Sequence, residues 1–531
     1  MNLSRLCVFS VALALGAAPA LTAADIWKIA PPPPTSWQRD RVADLVRHRT
    51  AVMERIGANG VVILYAAEPR NYAGDVDWPY RQENDFYYLT GIAQAGCYLV
   101  LIPGGAAIHQ ILFLPPSNPA QEDWTGHILT PAEAREISGI QDIWDARRFP
   151  EFLSALLPRA KSAIAEALSE PTSAAGSRRA PPASPEPIPV DVAQAFAAPM
   201  RHPELYLITR GQPLEYRRER DLATRLSAAD TALRIQDPTS IFNRLRMVKS
   251  RRELDLLEQA AAITAEAFQR AFALAVPGTR EYEIQAQFEF TFLRRGGHWG
   301  YPCIVGSGKN TTTLHYEANR DTMSSGDLLL MDSAAEFDGY SADVTRTIPV
   351  NGKFTEEQAE IYRLVWAAHE AALAEAKPGH VAADDDNAMN AAAVKVFQQG
   401  LLRLGLITDA KSRQYAVWFN HGIGHNIGLN VHDAMEGREL VPGMVITIEP
   451  GLYIRPDALD DLPKTPENAK FIAAVRPAFE KYKGIGVRIE DDVLITQGEP
   501  RVITSAIPER VEDVEAEIAR LRTALRTTPL P

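Results

Sequence analysis

The sequence predicts a mixed α/β protein of two domains, the second built from two similar halves. Three observations carry this. Short apolar runs bounded by turn residues are interspersed with long helical periodicities. A chain of 531 residues has room for two to four domains at roughly 150 residues each. One spacing also recurs: His315, Gly326 and Asp332 stand 11 and 6 residues apart, and so do His432, Gly443 and Glu449. Between glycine and carboxylate lie the apolar runs Leu328–Met331 and Val445–Ile448. Each half thus delivers a histidine, a buried strand and a carboxylate at the strand's end. A site drawn from both halves would lie on their pseudo-symmetry axis.

Apolar residues make up 46% and charged residues 23% of the chain. That is the balance of a soluble globular protein, and it excludes wholesale disorder, collagen and a coiled coil. Acids outnumber bases 67 to 55, a net charge of -12. Nucleic acid is therefore excluded as the main partner, because phosphate binding needs a basic face. Three cysteines cannot make a disulfide framework or a thiolate zinc cluster.

Residues 1–24 read as an export signal, with Arg5 as their one charge, an apolar run from Leu6 to Ala18 and small-residue cleavage candidates at Ala18–Ala20 and Thr22–Ala24. A helix of that run spans only ~20 Å, too short for a ~30 Å hydrocarbon core. The expected compartment is periplasmic or secreted, with no stable membrane insertion. Loss of the signal removes Cys7 and leaves Cys97 and Cys303, expected as buried thiols.

After the stiff leader Pro31–Pro34, a first domain is expected over residues 37–236. Gly60–Tyr65, Tyr98–Ile102 and Ile111–Leu114 read as its strands, the last two joined across Pro103-Gly104-Gly105. Ser169–Pro189 is rich in Pro, Ala and Ser and reads as an insertion without a core. The second domain is expected over 240–505. Ser250-x-x-Glu253 and Thr355-x-x-Gln358 are capping boxes opening long helices. Pro277-Gly278 and Pro378-Gly379 stop them.

The chemistry concentrates in this second domain. Asp338-Gly339 signals a two-residue hairpin. Its register pairs Phe337 with Tyr340 and makes Asp332 a diagonal neighbour of Asp343, with Cβ atoms within roughly 7–8 Å. Two such carboxylates repel unless protonated or bridged by cations. Glu449 ends the other buried strand. Gly486–Ile495 reads as one continuous strand with Arg488 and Glu490 on one face, a pair that would also serve as a plain structural ion pair. His421, His425 and His432 cluster among Gly422, Gly424 and Gly428. The glycines disfavour a helix and predict a loop at close backbone approach. Gly306–Lys309 lacks the residues of a phosphate loop, Gly422-x-Gly424 lacks the third glycine of a dinucleotide fingerprint, and Asp384–Asp386 reads as a solvated charge run.

Together these residues resemble the pita-bread metallopeptidase superfamily, and within it the aminopeptidase P (Xaa-Pro aminopeptidase) family. The resemblance implies an α+β pita-bread catalytic domain with internal pseudo-symmetry, preceded by a smaller α/β N-terminal domain. It implies five metal ligands: Asp332 in Leu-Met-Asp-Ser, Asp343 in Ala-Asp-Val-Thr-Arg, His425 in His-Gly-Ile-Gly-His, Glu449 in Ile-Glu-Pro-Gly and Glu490 in Arg-Ile-Glu-Asp. His315, His421 and His432 fall on its substrate histidines, and Tyr453 and Arg488 on further family positions. Trp78–Gly91 is similar to its N-terminal signature. The implied cofactor is two divalent cations, Mn²⁺ before Co²⁺ or Zn²⁺. Oxygen-rich ligation fits that order.

The implied reaction is hydrolysis of the first Xaa-Pro bond of peptides with penultimate proline. A hydroxide bridging the metals attacks, Glu449 shuttles the proton, His432 and His315 hold or polarise the substrate, and His421, Tyr453 and Arg488 orient the leaving side. The alternatives are a prolidase, which cleaves dipeptides, and a non-catalytic peptide-binding module. Asp75 and Trp124 match first-domain positions that reach a neighbouring subunit's site, which implies a homo-oligomer, dimer or tetramer. A proline-bearing segment between Pro456 and Lys483 reads as an insert that begins beside Tyr453 and could rim the pocket.

Overall fold

A computed structural model of the chain describes residues 27–105, 108–168, 204–211, 215–382 and 387–526. The expected export signal, Ser169–Pro189 and Asp384–Asp386 lie outside these residues. Among the described residues no helix is long and apolar enough to cross a membrane.

The first domain opens with helix α1 (Trp37–Ile56), followed by strand β1 (Gly60–Tyr65), the small hairpin β2 (Asn71–Ala73) and β3 (Val76–Asp77), and helix α2 (Asn84–Thr90). Then come β4 (Tyr98–Leu101), β5 (Gln110–Leu114), β6 (Asp142–Asp145), β7 (Glu204–Tyr206) and β8 (Arg234–Gln236). Except for the hairpin, these strands form one mixed sheet in the order β6-β5-β4-β1-β7-β8. Strand β1 pairs antiparallel with β4 and parallel with β7. It is buried on both faces: Val61 and Ile63 pack toward Phe149 and Phe152, Val62 and Leu64 toward α1 and α2. Double burial explains why it reads as a continuous apolar run instead of an alternation. Cys97 is a buried free thiol here, as Cys303 is in the second domain.

The second domain begins with α3 (Thr239–Met247), α4 (Arg251–Leu274) and α5 (Glu281–Arg294). Ser250 and Glu253 cap α4 reciprocally, and Thr355 and Gln358 cap the later helix α6 (Glu356–Ala374) in the same way. Between them run β9 (His298–Trp299), β10 (Ile304–Ser307), β11 (Leu328–Asp332), β12 (Ala335–Phe337), β13 (Tyr340–Ser341) and β14 (Thr345–Pro349). Phe337 pairs with Tyr340 across Asp338-Gly339, and Asp332 pairs with Thr345. The register is therefore continuous from turn to base and leaves Asp332 diagonal to Asp343. Asp338 and Gly339 adopt φ of 50° and 88°, the left-handed pair that a two-residue turn demands.

Helix α7 (Ala388–Leu404) and strands β15 (Val445–Ile448) and β16 (Gly451–Tyr453) open the second half. Helix α8 (Pro466–Tyr482), β17 (Gly486–Arg488), β18 (Asp491–Leu494), β19 (Arg501–Val502) and helix α9 (Val511–Leu525) complete the chain. One expectation needs correction. Gly486–Ile495 is not one strand. It breaks at Ile489-Glu490, where the Glu490 N–H turns to the Thr345 carbonyl, 3.1 Å away in the other half. The segment after Pro456, read as an insert, carries helix α8. Pro466 sits in the first turn of α8, where a missing N–H costs nothing, and Phe471, Val475, Phe479 and Tyr482 bury its inner face in the domain core.

The broken strands match between halves. The β11–β12 and β13–β14 hairpin is interrupted after Asp332 and at Asp343, and β15–β16 paired with β17–β18 is interrupted at Glu449 and Glu490. Around this centre Trp27, ahead of the proline leader, is buried in the second domain's core. Gln269 exchanges hydrogen bonds with the Lys28 backbone, and Lys28 Nζ donates to the Ala506 carbonyl.

Candidate functional site

The four carboxylates expected from the strand ends meet at the hairpin breaks. Asp332, Asp343 and Glu490 are buried at 8%, 4% and 2% exposure, and Glu449 is half-buried. Asp332 accepts from the Tyr301 hydroxyl at 2.6 Å on one oxygen and from Arg488 on the other. Glu490 accepts from Thr345 Oγ1 at 2.6 Å, and the Asp343 N–H donates to Asp492 at 3.1 Å.

His425 enters from the glycine loop. A Cβ on Gly424 would stand 2.0 Å from the Thr447 carbonyl oxygen, so only glycine lets this loop lie against β15. The His425 Nδ1–H donates to the Asn426 carbonyl at 3.1 Å. Its Nε2 therefore faces Asp343 at 3.5 Å and Glu449 at 3.6 Å. One donor atom each from Asp343, His425 and Glu490 lies within 4.8 Å of the others.

The electrostatics fit a cation-binding cluster. Burial raises the carboxyls of Asp332, Glu449 and Glu490, Glu449 to about 7, with neighbouring carboxylates adding to the rise and Arg488 opposing it. Burial opposes charge on His425, but Asp343 and Glu449 overcome it and push the imidazole up to about 9. Three carboxyls that resist ionisation around an imidazole that attracts protons want positive charge between them. Divalent cations would supply it. Asp332, Asp343, His425, Glu449 and Glu490 are the residues that would hold such ions.

A second row flanks the cluster. Arg488 donates to the Tyr453 hydroxyl at 3.0 Å and to Thr345 Oγ1 at 3.0 Å. The His421 Nδ1–H donates to the Gly422 carbonyl, which leaves Nε2 to accept from Tyr453 at 2.9 Å. Burial, then Arg488, depress His421 to about 4, which favours its neutral form. His432 is exposed, with its ring 4.0 Å from that of His425. His315 is exposed too, yet near enough to depress both His421 and His432. Asp75 and Trp124 do not join the site within one chain: Asp75 is exposed at the turn between β2 and β3, and Trp124 is 87% exposed on the helix Pro119–Thr125.

Residues 255–497 match metallopeptidase family M24, and residues 45–165 match the aminopeptidase P N-terminal domain. The Xaa-Pro aminopeptidase of Escherichia coli (strain K12) is 30% identical over 502 residues, covering 90% of this chain and 97% of that protein. The chain belongs to the Xaa-Pro aminopeptidases of metallopeptidase family M24. The structure of E. coli aminopeptidase P with the inhibitor Pro-Leu superposes with a TM-score of 0.73 at 29% identity, covering 91% of this chain and 99% of that one. A human Xaa-Pro dipeptidase is 27% identical over 517 residues, covering 91% and 92% of the two chains. The fold is thus that of an Xaa-Pro aminopeptidase, an aminopeptidase P N-terminal domain followed by a pita-bread domain, and the chain is a metallo-hydrolase.

Sequence reasoning missed four supporting residues of this site. Tyr301 and Asp492 touch Asp332 and Asp343 as described, and Thr345 links Arg488 to Glu490. Arg346, fully buried, donates to the Glu490 carbonyl at 2.6 Å and to Asp491 at 2.7 Å. Tyr301 carries no local pattern that could have announced it. Thr345 and Asp492 lie two residues from a predicted ligand and Arg346 three, and that adjacency was the available signal.

Proposed function

We propose that the chain removes the first residue from peptides with proline in second place, using two divalent cations, Mn²⁺ by preference, held by Asp332, Asp343, His425, Glu449 and Glu490. The observation that carries this is the convergence of four carboxylates and one oriented imidazole at the matched breaks of two hairpins. Bound cations would polarise the scissile carbonyl and activate water. Glu449, whose carboxylate stands 3.6 Å from His425 in the cluster, is the residue we assign to take a proton and pass it to the leaving nitrogen. His432 and His315, both exposed beside the cluster, reach the substrate from the solvent side and can donate to a developing oxyanion. The neutral ring of His421 and the Tyr453 hydroxyl, fixed by Arg488, form a rigid wall suited to a proline ring.

Chain length separates aminopeptidase from prolidase. A dipeptidase needs a cation to read the proline carboxylate. Arg455, the candidate beside Tyr453, is turned to Asp461 and Asp457 at the surface. We therefore favour an open groove. The test compares kcat/KM for an Xaa-Pro dipeptide with that for the same peptide extended by two residues. Preference for the dipeptide by more than about tenfold, some 1.4 kcal/mol, would make prolidase the right reading. Full activity in a chelated, metal-free sample would end the metal mechanism.

Two further readings belong to the proposal. Tyr72, Val76, Trp78 and Trp124 leave apolar surface exposed on the first domain, which supports a homo-oligomer that brings Asp75 and Trp124 to a neighbour's site. A monomer mass by light scattering with full activity would refute it. The signal at residues 1–24 supports export, and amino-terminal sequencing of protein from a periplasmic fraction tests it.

A further inference from the structure

We propose that Asp44, His48 and Glu253 form a second cation site, apart from the catalytic cluster, that binds one divalent ion of the zinc class across the boundary between the domains. Asp44 and His48 are four apart on α1 and share a face, and Glu253 comes from the first turn of α4. All three are buried, at 3%, 8% and 2% exposure.

The imidazole is set up as a ligand. Its Nδ1–H donates to the Tyr88 carbonyl at 3.0 Å, and its ring stacks on Tyr88 at 3.8 Å. A backbone carbonyl on one nitrogen is what orients the other toward a metal. Nε2 makes no hydrogen bond; it faces Asp44 Oδ2 at 3.6 Å and Glu253 Oε2 at 3.8 Å. Those separations are too long for hydrogen bonds. They lie close to the ~3.3–3.6 Å edge of a tetrahedron whose ligands sit ~2.0–2.2 Å from zinc. The three donor atoms lie within 4.8 Å of one another.

The surroundings are pre-arranged. Ser250 donates its hydroxyl to Asp44 at 2.8 Å and its N–H to Glu253 at 2.7 Å, and the Tyr340 hydroxyl donates to Glu253 at 3.0 Å. A cavity of about 30 Å³ borders the three residues, enough for one water as a fourth ligand. Arg41 and Arg252 also line it, but both are directed to Asp338, at 3.3 and 3.6 Å. Asp44 and Glu253 thus bring two carboxylates to one imidazole, with Arg47 on the far oxygen of Asp44 and Lys249 acting on Glu253 from outside the triad. An ion there would tie α1 to α4 and, through Tyr340, to the strand that leads to Asp343.

The test counts zinc. The full mature protein is stripped by chelation, equilibrated with Zn²⁺ alone, desalted and assayed for metal per chain. His48→Ala and Asp44→Asn should each bind one equivalent fewer than wild type. In saturating catalytic metal each should keep kcat within about twofold, the range of a change outside the transition-state contacts. Equal zinc counts in wild type and both variants would overturn the proposal. A measurement that needs no variant is anomalous scattering from zinc-soaked wild-type crystals. A peak is expected between His48 Nε2 and the two carboxylates, and its absence would equally overturn the site.

Discussion

Arg488→Met should separate the electrostatics of the site from its packing. The guanidinium is buried at 3% exposure and serves Asp332, Tyr453 and Thr345 at once. Methionine keeps most of the volume and removes the charge. Asp332 then stays buried, with Tyr301 as a neutral partner. Breaking a buried ion pair on one side costs about 3–5 kcal/mol. For a domain of this size that lowers the unfolding midpoint by on the order of 10 °C. This holds only without metal. Two bound divalent ions bring four positive charges against four carboxylates, so Asp332 no longer depends on Arg488, and the loss should fall by more than half. The assay is thermal unfolding of wild type and variant, each stripped and each loaded with Mn²⁺. Arg488→Lys, which keeps the charge but not the planar fork, should fall between them. An equal drop in both metal states would refute the reasoning and make Arg488 a packing residue.

Asp343→Ala should lower kcat by several orders of magnitude while the far-ultraviolet circular dichroism is unchanged. His432→Ala should keep its bound metal, read by elemental analysis, and lose about 10²-fold in kcat, the effect of one electrostatic donor; an empty variant would make His432 a ligand. Tyr301→Phe removes the hydroxyl on Asp332 and should weaken metal affinity by roughly 10–100-fold, as loss of an outer hydrogen bond to a ligand does, measured by competition with a chelating dye. The metal-free protein should lose stability as pH rises. Glu449 has a folded pKa of about 7 against 4.5, and His425 about 9 against 6.5. Both are raised, so the folded state holds extra protons and gives up that advantage from about pH 4.5 to 9. Metal-loaded protein should show the opposite slope because ligands must deprotonate to bind. Parallel pH profiles of the unfolding midpoint would contradict this.

Much of the centre was legible because its ligands end apolar strands at turn signals. Asp338-Gly339 sets a register by itself, and that register puts Asp332 beside Asp343 with no knowledge of the rest of the chain. The glycines around His425 announced close backbone approach, and Gly424 against Thr447 is that approach. What stayed hidden depends on contacts between distant segments. The break at Glu490 exists because its N–H finds Thr345 across the pseudo-symmetry axis, and no local pattern encodes a partner 145 residues away. Helix α8 was hidden for a different reason. Pro463, Pro466 and Pro477 signal interruption, yet Pro466 falls in the first turn and Pro477 lies within the helix, while the spacing of Phe471, Val475, Phe479 and Tyr482 was helical throughout. Strands β6, β7 and β8 are short and partly polar, too little pattern to announce a strand, although Leu205, Trp144 and Ile235 pack in the first domain's core.

The docking of the chain's first described residues bears on the order in which the molecule assembles. Lys28 meets Ala506 across 478 positions, and Trp27 lies in a core made of residues from 247 onward. Closing so long a loop gains little until both ends are in place, so contacts of this span form late. A chain made from its amino terminus must leave Trp27 unburied until the second domain exists. A partly made chain therefore carries an indole that stays exposed until the second domain folds. Replacing Trp27 should slow the final stage of refolding and leave the earlier formation of the first domain's sheet untouched.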